Sequence, residues 1–329
     1  MKIIDLFSGI GGFSLGFQRA GYEFTEHYFS EIDKSAIANY KYNFPNAKNL
    51  GDITTLHGRD FTGIDIITFG SPCQDFSLAG KRAGLAGEKS SLIQKAIALI
   101  AHIRPSVFIW ENVKGAFSSN AGADFWAILK AFANIGGYRL EWQLLNTSWL
   151  LPQNRERIYL IGHLAGRSIP GIFPIREDDC LSTTKTESQF QAKISGTIKA
   201  NGNMNADDTY IIPKTASTLT GGGHSGGLHS DMTVIRQLPR GKNKGADLTI
   251  CPTISSNAFQ ENNLLCGIRR LTEIECERLQ GFPDNWTQYG NYNGRKRRIS
   301  KTQRYKLIGN AVTVDIVELI AKRLKIIKQ

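Results

Sequence analysis

Two near-continuous apolar runs, Ile64–Phe69 and Val107–Trp110, bracket a stretch in which Leu92, Ile93, Ala96, Ile97, Ile100 and Ile103 recur at helical spacing. Strands that are apolar on both faces need helices over both faces, which constrains the chain to a helix-flanked, parallel sheet. The preceding residues extend the pattern. Lys2–Phe7 reads as a strand, Ser8–Gly12 as a glycine turn and Phe13–Ala20 as a helix. Tyr28–Ser30 reads as a second strand, Ser35–Tyr42 as a helix, and Asn49-Leu50-Gly51-Asp52 closes a third strand. Leu140–Asn146 and Arg157–Gly162 supply two more. The expected fold class is α/β, a doubly wound and mostly parallel sheet.

The character changes after about Leu164. From there to about Gly267 the chain is rich in Gly, Ser, Thr and Asn and has no helical periodicity. A loop of that length is implausible inside one compact domain, so a second, smaller, mainly β or irregular domain is expected. Gly196-Thr197-Ile198, Ser217-Thr218-Leu219 and Pro252-Thr253-Ile254 each lead through polar residues to an apolar pair, Ile211-Ile212, Val234-Ile235 or Leu264-Leu265. That is the spacing of three strand–long turn–strand units. Helical periodicity returns at Thr272–Gln280 and Ala311–Ile327.

The formal net charge of +11 favours polyanionic partners, nucleic acid foremost. It is concentrated at Arg295-Lys296-Arg297-Arg298, followed by Lys301, Arg304 and Lys306, a run suited to phosphates or to a solvated loop. None of the five cysteines, Cys73, Cys180, Cys251, Cys266 and Cys276, forms a CxxC pair or a Cys/His zinc spacing, so no metal is expected. Met1–Asp5 enters a strand at once, no signal or transit segment is expected, and reduced thiols in a cytoplasmic setting follow. No apolar stretch approaches the roughly 20 residues that span a bilayer, so no membrane partner is expected.

Pro72-Cys73-Gln74 puts a thiol on the turn after one apolar strand, and Glu111-Asn112-Val113 puts a carboxyl after its neighbour. A nucleophile and an acid at the same end of a sheet suit covalent catalysis. Asp5–Gly12 joins strand to helix through glycines, but Ser14 stands where the third glycine of a dinucleotide fingerprint would be. Glu31 can accept from ribose hydroxyls and Asp52 can meet an adenine amino group, which suits an adenosine cofactor without a pyrophosphate. Taken singly, either acid is as readily a helix cap.

Asp5–Gly12, Glu31, Gly51-Asp52, Gly70–Ser77, Glu111-Asn112-Val113, Gln153–Arg157, Arg270–Pro283 and Gly309–Val312 occur in that order. In this ordered set the chain resembles the DNA (cytosine-5) methyltransferase family, of prokaryotic restriction–modification or phage type. The resemblance covers nearly all of the chain outside the Gly/Thr-rich region. It implies a class I, Rossmann-like methyltransferase fold with S-adenosyl-L-methionine as methyl donor. Phe7, Gly9, Ile10, Gly11, Glu31, Ile32, Asp52, Ile53, Pro72, Leu92, Asn310 and Ala311 are then the expected cofactor-binding residues. Cys73 is the thiolate expected to add at C6 of a flipped cytosine. Glu111 holds its N3/N4 edge, Arg157 its O2 side, and Arg155 supports the site.

By the same resemblance, residues 1–164 form the catalytic domain, 165–300 the target-recognition domain, and 301–329 return to the first, with Asn310 starting the last helix. Leu78–Ser91 is expected to be a loop that closes over DNA, and Arg236, Arg240, Lys242 and Lys244 are candidate readers of bases and phosphates. The implied partner is double-stranded DNA, with a cognate restriction endonuclease as functional partner. The implied state is a cytoplasmic, nucleoid-associated monomer. A tRNA methyltransferase of the same family and an inactive DNA-binding protein are the competing readings. Two departures stand out. Gly87-Glu88-Lys89-Ser90 occupies the place of the family's usual Asp-x-Arg-Gly, and Asn146–Gln153 lacks the glycine usual before the Pro-Gln pair.

Overall fold

The computed structural model describes residues 1–71, 90–181, 235–237, 246–248, 251–252, 263–265 and 269–327. Its centre is a seven-stranded sheet in the order β3-β2-β1-β4-β5-β8-β6. The strands are β1 (Lys2–Leu6), β2 (Glu26–Ser30), β3 (Lys48–Asn49), β4 (Ile66–Gly70), β5 (Val107–Val113), β6 (Tyr138–Asn146) and β8 (Glu156–Leu164). The short β7 (Gln153–Asn154) lies outside this sheet. β1 to β5 pair in parallel, whereas β8 runs antiparallel to both β5 and β6. The expected mostly parallel, doubly wound sheet is therefore present. Its order reverses between β1 and β4, and sheets of this kind bind ligands beyond the carboxyl ends flanking such a point.

The pleat explains the continuous apolar runs. Val107 and Ile109 enter one core with Phe13, Phe17 and Ile316, while Phe108 and Trp110 enter the opposite core with Ile93, Ile100 and Phe132. On β8, a side chain at Gly162 would collide with the Phe108 ring. β5 continues three residues beyond the apolar run, so Glu111 and Asn112 stand on the strand itself.

The helices of this half are α1 (Gly12–Arg19), α2 (Lys34–Asn43), α3 (Ser90–Ile103), α4 (Gly115–Ser118) and α5 (Ala123–Ala133). Asp33 starts α2, its carboxylate accepting from Ser35 N at 2.8 Å and Ala36 N at 3.1 Å. The sequence reading assigns nothing between Val113 and Tyr138. There Phe125, Ile128 and Phe132 are buried on α5 while Trp126 is 64% exposed, an apolar coat that blurs the helical period.

Beyond Leu164, β9 (Ser168–Ile169) is followed by a short helix, α6 (Glu177–Leu181), in a stretch expected to have none. β10 (Ile235–Gln237), β11 (Ala246–Leu248), β13 (Asn263–Leu265) and β14 (Arg269–Arg270) form an antiparallel sheet, and β12 (Cys251–Pro252) pairs with β7. Ile235, Pro252 and the Leu264-Leu265 pair of the expected repeat thus fall on strands. The units at 196–198, 211–212 and 217–219 lie outside the described residues, as do Arg240, Lys242 and Lys244.

The chain then returns to the first region. α7 (Glu273–Leu279) opens on a capping box, with Glu275 N donating to Thr272 Oγ1 and Thr272 N donating to Glu275 Oε2. Cys276 is buried. β15 (Tyr289–Tyr292) and β16 (Arg295–Arg298) form a hairpin, so the basic run is a strand and not a loop. Its turn, Asn293-Gly294, has φ of 53° and 83°, the left-handed pair that tight hairpins require. α8 (Lys301–Asn310) and α9 (Val314–Arg323) follow.

These helices correct two expectations. The last helix begins at Val314, and Asn310 ends the helix before it, because Ala311 (φ −74°, ψ 156°) and Thr313 (φ −74°, ψ 118°) are extended. Arg304 is not a phosphate-binding residue of the basic run: it is buried, with Nη2 2.9 Å from Glu277 Oε1 and Nε donating to Thr287 Oγ1. Lys306 is engaged too, donating to Asp33 at 2.7 Å.

α9 packs on α1. A Cβ at Gly12 would lie 2.7 Å from Val312 Cγ2, and one at Gly16 would lie 2.5 Å from Val317 Cγ1. Only glycine permits that approach. β17 (Lys325–Ile326) pairs with β9, and Tyr22 Oη donates to Ala321 O at 3.2 Å.

Candidate active site

Three loops meet at the carboxyl ends of β1, β2 and β3. After β1 the backbone doubles back through left-handed Phe7 (φ 51°), Gly9 (φ 53°) and Gly11 (φ 84°), and a Cβ at Gly11 would press within 2.5 Å of the Phe44 ring. Ser8 N donates to Ser30 O at 3.2 Å, tying this turn to β2. Glu31 completes the lacing: Oε2 accepts from Gly9 N at 2.9 Å, while Oε1 accepts from Ile32 N at 2.8 Å and Asp33 N at 2.9 Å. Ser30 Oγ donates to Gly51 O at 2.7 Å, so the third loop is held as well. Asp52 Oδ1 caps a single 3₁₀ turn by accepting from Thr54 N at 2.9 Å.

The other residues expected here differ in exposure. Ile32 is 71% exposed beside Glu31, whereas Ile10 and Ile53 are buried in the cores. Gly11 occupies the N-cap of α1 and brings no side chain to its first-turn amides.

Behind the glycine turn lies a polar network that the sequence does not announce. Asp5 is fully buried; Oδ1 accepts from Thr68 Oγ1 at 3.0 Å, and Oδ2 accepts from Tyr40 Oη at 3.3 Å and Ser14 Oγ at 3.4 Å. Burial pushes the Asp5 carboxyl up to about 8, against the pull of these hydroxyls. Ser14 Oγ also lies 2.6 Å from Tyr40 Oη and 3.0 Å from His27 Nε2. Burial pushes His27 down to about 4. The serine at the third-glycine position thus has work of its own, which no spacing rule reveals.

The second cluster stands at the ends of β4, β5 and β8. Register sets Gly70 opposite Glu111 and Val113 opposite Arg157. Because β8 is antiparallel, its first residues meet the last residues of β5. Arg157 Nε lies 3.1 Å from Glu111 Oε1, and both side chains are largely buried. A Cβ at Gly70 would sit 3.1 Å from Glu111 Oε2, so glycine leaves that oxygen its room. Ser71 Oγ accepts from Trp110 Nε1 at 3.0 Å and Asn112 Nδ2 at 3.1 Å. Two strand residues thereby fix the start of the segment that carries Pro72 and Cys73. Those two residues and 74–89, which include the expected closing loop Leu78–Ser91 up to Lys89, lie outside the described residues, and Ser90 and Ser91 already belong to α3.

Arg155 is 3% exposed and donates from Nη2 to Ala311 O at 2.7 Å. Burial, then the neighbouring Arg157, pushes its guanidinium down to about 9. Thr147 Oγ1 lies 2.9 Å from Thr313 Oγ1, a second tie to the same turn. Ala311 is therefore buried with its carbonyl engaged, while Asn310 is exposed. Leu92, half-buried near the start of α3, packs against the same core as Phe7.

The structure thus joins Glu31 with the glycine turn, Glu111 with Arg157, and Arg155 with Ala311. Asp52 and Ile53 serve a local cap and a core. Among the described residues no His, Cys, Asp and Glu group could hold a metal ion, and no helix is long and apolar enough to cross a membrane. A Glu141–His163–Ser168 chain, with His163 Nε2 2.7 Å from Glu141 Oε1 and Nδ1 2.8 Å from Ser168 Oγ, resembles a hydrolytic triad. It is buried at the opposite end of β8, and Ser168 donates to Lys325 O, so it anchors β17.

The family model described as C-5 cytosine-specific DNA methylase matches residues 1–326. Type II methyltransferase M.NgoBI of Neisseria gonorrhoeae is 31% identical, over 98% of this chain and 92% of its own. Type II methyltransferase M.Bsp6I of Bacillus sp. (strain RFL6) is 29% identical over 98% of each. Among solved structures, a prophage-encoded DNA modification methyltransferase of E. coli superposes with a TM-score of 0.60. It is 22% identical, over 98% of this chain and 97% of that one, and so shares the fold.

Proposed function

The chain belongs to the C-5 cytosine-specific DNA methylase family, and on that premise we propose that it methylates C5 of a cytosine flipped out of a specific duplex DNA sequence. The observation that carries the reading is the Glu111–Arg157 pair. An acceptor and a donor sit 3.1 Å apart on neighbouring strand ends beside Gly70, three residues before Cys73.

S-adenosyl-L-methionine is the proposed donor, and it would supply an electrophilic methyl group. The residues fit such a group. Glu31 would accept from the ribose hydroxyls, the exposed Ile32 would pack on the adenine, and the left-handed Phe7–Gly11 turn would offer backbone amides and the uncapped α1 terminus. Asp52, Ile53, Pro72, Leu92, Asn310 and Ala311 complete the proposed set.

C5 of cytosine is a weak nucleophile. The Cys73 thiolate would add at C6, forming a carbon–sulfur bond and giving C5 enamine character. C5 then takes the methyl group, its proton leaves to a base, and expulsion of the thiolate restores the aromatic ring. Glu111 holds the N3/N4 edge and Arg157 the O2 side. Arg155, committed to Ala311, acts by fixing the C-terminal turn under the site. Flipping the base costs a few kcal/mol, which contacts from the recognition region would offset.

We assign residues 1–164 to catalysis, begin the target-recognition region at 165, and let the returning segment, expected at 301–329, take in the chain from Phe282 onward. The return is drawn earlier than 301, since Phe282 and Ile299 share a core with Ile10 and Phe29. A restriction endonuclease as functional partner, a monomeric state and a nucleoid-associated cytoplasmic location belong to the same proposal. Cys73→Ala should abolish tritium transfer from labelled donor to duplex DNA while leaving donor binding intact. Turnover by that variant, or preference of the native enzyme for tRNA, would overturn the reading.

A further inference from the structure

The basic run refines into a smaller surface once its partners are known. Lys301 lies 3.9 Å from Glu273, Arg304 pairs with Glu277, and Lys306 pairs with Asp33. Arg295, Lys296, Arg297 and Arg298 make no such pair among the described residues, and all four are exposed. What remains is one strand with four adjacent cations.

Its placement is fixed. β15 runs antiparallel along α2: Asn39 Nδ2 donates to Trp286 O and Tyr289 O, each at 2.8 Å, and a Cβ at Gly290 would lie 2.9 Å from Ala38 Cβ. Tyr292 Oη donates to Ser35 Oγ at 3.4 Å near the start of the helix. The Asn293-Gly294 tip, with Arg295 beside it, therefore lies at the N-terminal end of α2. That end is the carboxyl edge of the sheet, two residues beyond Glu31-Ile32-Asp33. Lys296 Nζ sits 4.0 Å over the Tyr289 ring and 5.0 Å over that of Tyr42, which braces the strand on α2. Trp286 Nε1 donates to Ile10 O at 3.0 Å, joining the base of the hairpin to the glycine turn.

We propose that this hairpin is a phosphate rail: Arg295 and Arg297, which share one face of the strand while Lys296 and Arg298 take the other, contact the backbone of duplex DNA flanking the target, outside the recognition region. The inference rests on the proposed function, because it needs DNA laid across the carboxyl edge of the sheet. Among the described residues no acid pairs with either arginine, and Arg295 stands at that edge, which suits the polyanionic backbone of a duplex. Such contacts carry no sequence information and set register and affinity.

The test is the salt dependence of binding to a random-sequence duplex, compared between the native protein and Arg295→Gln/Arg297→Gln. Two lost phosphate contacts lower the slope of log Kd against log salt by about 2. Arg295→Gln alone lowers it by about 1, and replacement of both by lysine keeps the native slope. Methyl transfer at saturating DNA stays at the native rate. An unchanged slope in the glutamine variants, or a change seen on RNA duplexes and not on DNA, overturns the rail. Absence of methyl transfer to duplex DNA by the native protein overturns the function instead, so the two failures are told apart.

Discussion

Replacing Gly16 by alanine tests how closely the C-terminal helix α9 depends on α1. The new Cβ would lie 2.5 Å from Val317 Cγ1, 2.6 Å from Val317 Cβ and 3.1 Å from Glu318 N. Relaxed carbon–carbon contacts sit at about 3.5–4.0 Å, so roughly 1 Å of separation has to be found. Rotating Val317 moves Cγ1 but neither its Cβ nor the backbone nitrogen behind it, and the helices themselves must part. Overpacking of this kind costs up to about 3 kcal/mol. Alanine's better helix propensity returns about 1 kcal/mol, leaving a net destabilisation of about 2 kcal/mol. Equilibrium urea unfolding should show a lower midpoint at unchanged slope. Val317→Ala in the same chain removes the Cγ1 clash, so the double variant should be more stable than the sum of the singles by about 1 kcal/mol. Since α1 begins at the glycine turn, donor affinity should fall along with stability. A Gly16→Ala protein as stable as the native one, or strict additivity with Val317→Ala, would refute the packing argument.

Arg304→Met leaves the fully buried Glu277 without its guanidinium and should cost about 3–5 kcal/mol by denaturant titration, whereas adding Glu277→Gln to it should recover part of that loss. Asp5 gives a pH signature. Its folded pKa of about 8 lies above the ordinary 3.8, so the native state holds the extra proton and stability falls as pH rises between those values. Asp5→Asn should flatten that fall in a thermal-unfolding series, and parallel profiles for the two proteins would exclude a protonated Asp5.

The sheet was legible because its central strands are apolar on both faces. Other features had no local signature. α5 carries apolar residues around most of its girth, and α8 buries Arg304 and Tyr305 where a periodicity argument looks for leucine. The Asn293-Gly294 hairpin signal was present in the sequence and was masked by the charges after it. At the site, Glu111 and Arg157 were readable as strand-end residues, but their proximity depends on β8 running antiparallel, which no residue in either strand declares. The bond from Arg155 to Ala311 spans 156 positions and could only be found in three dimensions.

The α1–α9 seam also has a consequence in time. Its partners lie about 300 positions apart, as the Tyr22–Ala321 hydrogen bond shows. At ordinary synthesis speeds of about 5–20 residues per second, α1 leaves the ribosome roughly 15–60 s before α9 exists. Throughout that interval the grooved face of α1, with Gly12 and Gly16 bare, has no native cover. That face of α1 waits longest for its partner, and the glycine turn gains its contact with Val312 only once the chain leading into α9 has been made.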